Sequence, residues 1–141
     1  PTTRPVMHSD AYERYCAAVA EDRMTDAYWI AIDDVIEPTD DERALFSLPV
    51  VADLAAPQLA LGVREIPEAN RPTDTESLKQ LTIPVLLLEG ARSGQHFRDA
   101  VRSLSEVLSH GRVVEITDAG HMGPVTHAQD VAQELVSFFT E

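Results

Sequence analysis

Ile83-Pro84-Val85-Leu86-Leu87-Leu88-Glu89-Gly90 is apolar at nearly every position up to Glu89. A strand with one wet face alternates, whereas an unbroken apolar run fits a strand covered on both faces by helices, as in a parallel sheet. Downstream, Phe97 to Ser109 reads as an amphipathic helix with Val101, Leu104, Val107 and Leu108 inward and Gly111 as its stop. Arg112-Val113-Val114-Glu115-Ile116 is a second strand. Thr126 and Gln129 suggest a capping box for a last helix whose apolar residues are Val131, Leu135, Phe138 and Phe139. Strand, helix, strand, helix at this spacing is a βαβ unit with a parallel pair, which sets the class as α/β.

Between the second strand and the last helix lies Asp118-Ala119-Gly120-His121-Met122-Gly123-Pro124. A histidine on a Gly-bearing turn straight after a buried strand stands at a sheet edge, where a general base can work. Its ordinary pKa near ~6.5 suits proton exchange at neutral pH. The structural alternative is a histidine that merely caps the turn. Such a base serves a nucleophile, and the chain has no Gly-x-Ser-x-Gly elbow. Gly90-Ala91-Arg92-Ser93-Gly94 has one residue too many for that motif, and its serine follows the wrong strand.

From Ser9 to Gln80 the pattern is helical and often broken. Ser9 or Asp10 can start a helix to about Asp22, with Tyr12, Tyr15, Cys16 and Val19 on one face. Thr25 or Asp26 can start a second, striped by Tyr28, Trp29, Ile32, Val35 and Ile36. Thr39 with Glu42 forms a capping box for a short third helix. Pro49 can open a fourth, which Pro57 should kink or divide. Residues 65–73 read as a Pro-containing link, and Thr73 with Glu76 signals another short helix. None of this supplies a third strand. Two parallel strands cannot bury their own edges and faces, so further strands are expected from a preceding segment or another chain.

Residues 83–141 resemble the C-terminal part of an α/β-hydrolase core. Ile83 to Gly90 is similar to that family's Pro-flanked strand ending in Gly, Val113-Val114-Glu115-Ile116 to its last strand, and Ala119-Gly120-His121-Met122 to the turn carrying its triad histidine. Residues 1–82 resemble, in style, the helical cap many members insert before these strands. The resemblance implies an α/β-hydrolase-like partial parallel sheet of two strands with a helical cap, divided at 82/83. It implies hydrolysis of an ester, thioester or related acyl bond of a small-molecule substrate, with no cofactor. His121 would be the catalytic base, and the N-terminal half of the fold, on the same parent or a second chain, would bring the nucleophile. Met122, Trp29 and Tyr28 become substrate-binding candidates beneath a cap, although aromatics at helical spacing also serve as internal packing. One departure concerns the triad acid: the family commonly has Asp where this chain has Ser93, and the next carboxylate, Asp99, falls inside the helix. Glu89 can serve only if the strand end is re-aimed, so the acid stays unassigned. A non-catalytic, hydrolase-like module that binds a ligand or protein is the alternative.

Composition narrows the partners. The 141 residues carry 24 acids and 11 bases, a net charge of −13 that disfavours nucleic acid and anionic membranes as partners. No apolar run approaches the ~20 residues that span a bilayer, and no signal-peptide pattern opens the chain, so a cytoplasmic protein is expected. The single Cys16 excludes an internal disulfide, suits a reducing compartment and reads as helix packing. His8, His96, His110 and His127 show neither the i, i+4 spacing nor the Cys/His clustering of a metal site.

Overall fold

The computed structural model describes residues 6–71 and 75–140, and the chain divides into two compact units. One is helical (Pro5–Pro72). The other holds the strands (Pro1–Arg4 with Thr73–Glu141).

The helical unit contains α1 (Ser9–Ala20), α2 (Met24–Ala31), a π-turn (Ile32–Ile36), α3 (Asp40–Phe46) and α4 (Pro49–Ala69). Ala11, Tyr15 and Ala18 of α1 are buried, while Tyr12, Cys16 and Val19 are half-buried, so small residues let the neighbouring helices approach. After α1, Asp22 takes the left-handed conformation (φ 56°). The Arg23 N–H then reaches back to the Ala18 carbonyl at 2.8 Å, a Schellman-type end with Asp where Gly is usual. The expected continuation of α2 through Ile36 is helical but widened, with Glu37 N–H bonding Ile32 O at 3.1 Å. That segment directs Asp34 to the His8 backbone N–H at the start of α1 (3.0 Å) and Asp33 to an ion pair with Arg43. The Thr39–Glu42 capping box forms as expected, and Glu42 is fully buried.

Pro57 lies inside α4 without dividing it, and one expectation is overturned: residues 65–69, read as a link, are its last turns. Their persistence has a physical cause. A proline has no N–H, so Pro67 leaves the carbonyl of Val63 without its helical donor. The Tyr12 hydroxyl supplies one at 2.5 Å. The Tyr15 hydroxyl donates to Leu59 O one turn earlier, and its ring lies where a side chain on Gly62 would be. A glycine in mid-helix costs about 1 kcal/mol against alanine; here it makes room for the tyrosine that ties α1 to α4.

In the strand unit a 3₁₀ turn (Leu78–Gln80) precedes β1 (Val85–Gly90), α5 (Gln95–Val107), β2 (Gly111–Ile116), the short α6 (Gly123–Thr126) and α7 (Ala128–Thr140). Thr73 lies outside the described residues, so its pairing with Glu76 is not part of this picture. The strands are parallel, Val85 opposite Gly111 through Gly90 opposite Ile116, which establishes the α/β class and the βαβ connection. Gly111 opens β2 instead of capping α5, which ends at Val107. The Thr126–Gln129 capping box is replaced by a break: Thr126 ends α6, and its hydroxyl meets Met122 O (3.2 Å) and His127 Nδ1 (2.9 Å).

Val85 N–H donates to His110 O and Ala91 N–H to Ile116 O, both at 3.0 Å. In a parallel ladder Leu87 and Glu89 therefore also face β2, and Leu86 and Leu88 turn their backbone groups to the opposite, open edge. Every residue of β1 is only half-buried, α7 buries none of its residues, and Phe139 is 79% exposed. The apolar faces expected to meet a larger sheet are present and uncovered within this unit.

Candidate active site

The site is built where both strands end. After Ile116, the turn through Asp118 (φ 60°) carries the chain to Ala119, Gly120 and His121. Asp tolerates this left-handed conformation because its short side chain can bond locally. Neither Gly120 nor any other described glycine has positive φ, so the turn does not use glycine in the way the sequence suggests. The required glycine is Gly90, on the other strand. A Cβ there would strike the carbonyl oxygens of Ala119 and Gly120. The contact is fixed by Ala91 N–H on Ile116 O and by Arg92 N–H on Ala119 O at 2.8 Å. Beyond the turn, Met122 O accepts from Val125 N–H (2.8 Å) and Thr126 N–H (3.0 Å), starting α6 directly behind the histidine.

His121 is exposed and lines a cavity of about 310 Å³, whereas Met122, half-buried beside it, is not among the lining residues. The cavity walls include Leu88, Val101, Leu104 and Ile116, with Glu89 and Ser93 as polar members. Phe97 stacks on the His121 ring, centroids 4.1 Å apart and planes 23° from parallel, and His96 packs on Phe97 at 4.0 Å. A cleft outside the carboxyl ends of parallel strands is where open α/β sheets bind ligands. An imidazole there can exchange protons with a bound group.

Among carboxylates, Glu89 lines this cavity, whereas Asp99 sits within α5 and bonds Gln95 (2.8 Å) and Arg102 (3.3 Å). Ser93, where the family resemblance asks for Asp, lines the same cavity as His121. Phe97 is the site residue the sequence did not single out; it read only as the first residue of a helix. Its stack on His121 depends on a turn some two dozen residues later, which no local pattern announces.

The remaining candidates lie in the helical unit. Tyr28 is buried, its hydroxyl donating to Phe46 O at 2.8 Å, and burial pushes its phenol above the ordinary 10.0. Trp29 packs edge-on against Tyr28 (5.2 Å, 72°), lies under the Arg43 guanidinium at 5.0 Å and lines a groove with Arg14, Asp26 and Asp33. His127 contacts the turn through Thr126. Among the described residues no three His, Cys, Asp or Glu side chains cluster to hold a metal.

This arrangement, parallel strands with a histidine turn after the second, is the fold of the C-terminal half of an α/β-hydrolase. An α/β hydrolase from Sphaerobacter thermophilus superposes with a TM-score of 0.69 at 21% identity, over 99% of this chain and 53% of its own. A thermophilic esterase from Thermogutta terrifontis, solved with malate bound, superposes at 0.62 and 22% identity, over 98% of this chain and 52% of its own. The chain thus spans about half the length of the solved structures it matches. No protein-family model and no curated protein matches it.

Proposed function

We propose that this chain forms the base-bearing half of a hydrolase that cleaves an ester, thioester or related acyl bond. The observation that carries the reading is the exposed imidazole of His121 at the mouth of an apolar cavity, on a turn locked against the end of β1. In this reading His121 takes the proton of a nucleophile hydroxyl as the oxygen attacks the acyl carbon. It returns that proton to the departing alcohol or thiol, then activates the water that releases the acid. The nucleophile and at least part of the oxyanion site come from the N-terminal half of the fold. The open edge of β1 supports a partner of that kind, since among the described residues the sheet has two strands and β1 pairs on one side only. The helical unit is proposed as the cap, where Trp29 lines a groove of that unit and buried Tyr28 supports it from behind, and Met122 is proposed as a substrate contact next to the base. A cytoplasmic setting fits the lone cysteine.

A fluorophosphonate probe tests this reading, because it labels only a serine activated by a neighbouring base. With the chain joined to an upstream segment carrying the nucleophile, labelling is expected and His121→Ala should abolish it. Labelling that survives the substitution contradicts the role of His121. One observation favours a non-catalytic binding module instead: Ser93, at the position where the resemblance calls for the triad Asp, lines the cavity with His121. Absence of labelling by the joined wild-type protein would support that module.

A further inference from the structure

We infer that Phe97 is the positioning residue for His121, an aromatic platform that holds the imidazole in the orientation from which it accepts a proton. The inference rests on the reading of His121 as a base and adds to it the group that aims the ring.

An exposed imidazole samples several rotamers, and a base that wanders by an ångström loses much of its effect. Here the ring is stacked face to face on Phe97, centroids 4.1 Å apart and planes 23° from parallel. A platform is useful only if it is itself fixed, and Phe97 is. It lies in the first turn of α5, where its N–H bonds Gly94 O at 3.1 Å. The next residue, Arg98, ties that turn to the end of β1, its guanidinium donating to Ala91 O (3.1 Å) and to Gln95 Oε1 (2.8 Å). His96, 5% exposed, packs on the Phe97 ring at 4.0 Å. The turn that carries His121 is anchored to the same strand end through Arg92 N–H and Gly90. Both partners of the stack thus hang from one rigid junction, the end of β1. Phe97 also lines the cavity below the histidine, so the platform doubles as wall.

Proton NMR of this chain reads the stack directly. The His121 ring resonances are assigned by their loss in His121→Ala. They should lie upfield of those of an unstacked histidine, with cross-relaxation to the Phe97 ring. Phe97→Leu should move them downfield and remove that coupling, and Phe97→Tyr should restore both, with circular dichroism confirming that each variant is folded. Absence of cross-relaxation in the wild type, or His121 signals unmoved in folded Phe97→Leu, would overturn the inference and leave His121 free to act as a base oriented by another group. In the joined hydrolase, Phe97→Leu should lower kcat roughly 10-fold with little change in KM. A stack that responds as described, in a protein whose turnover ignores His121→Ala, would instead sink the base assignment and not the platform.

Discussion

Gly90 and Asp22 show how single positions shape the two units. Replacing Gly90 by Ala puts a methyl group against the carbonyls of Ala119 and Gly120, which are main-chain atoms already committed to the turn. The expected cost is about 2–3 kcal/mol of unfolding free energy, measured by denaturant titration, together with a changed His121 environment. A neutral Gly90→Ala would mean that the histidine turn is not braced by β1. Asp22 is the opposite case: its left-handed conformation is one that Gly adopts without strain, so Asp22→Gly should stabilise the helical unit by up to about 1 kcal/mol. The tyrosines give the pH dependence. Burial, followed by neighbouring charges, raises the Tyr15 phenol above its ordinary 10.0, and Tyr28 is raised by burial as well. A group whose pKa is higher when folded stabilises below the unfolded value. The helical unit should therefore keep its full stability up to about pH 10 and lose it as the pH rises through the shifted values.

Among the elements, α4 separates what a local pattern reveals from what it hides. Its start at Pro49 is legible because proline is favoured in the first helical turn. Its passage through Pro67 is not, because the donor replacing the missing N–H comes from Tyr12, 51 residues before the Val63 carbonyl it serves. A double-mutant cycle tests this pairing. Tyr12→Phe should cost about 1–2 kcal/mol in the wild-type background. In Pro67→Ala, where residue 67 regains its N–H, the same change should cost clearly less. Equal costs would show that the hydroxyl is not compensating for the proline. The strands were legible for the converse reason: an apolar run, a 13-residue amphipathic helix and a second strand need no distant partner to be recognised. The break between α6 and α7 was missed because the Thr126 hydroxyl turns back to Met122 O, leaving the Thr-x-x-Gln pattern unused. The place of His121 beside the cavity was legible from the turn; that of Phe97 was not, since stacking is a property of the assembled strand ends.

At the scale of the strand unit, the open edge of β1 and the exposed Phe139, Val136 and Ile83 leave apolar surface that the proposed N-terminal half would cover. An N-terminal half that binds it should stabilise the chain by mass action, about 2.7 kcal/mol at 100 times the dissociation constant, seen as a concentration-dependent rise in Tm. No rise with a segment that completes the sheet would mean that these faces meet something else. The central claim is that His121 is the base of a hydrolase completed by that half. The most direct test is the hydrolysis of a p-nitrophenyl ester by the chain joined to its nucleophile-bearing segment, with and without His121→Ala. Measurable turnover is expected, falling by roughly 10³-fold or more in the variant while the fold is kept. Turnover equal in the two proteins would contradict that claim.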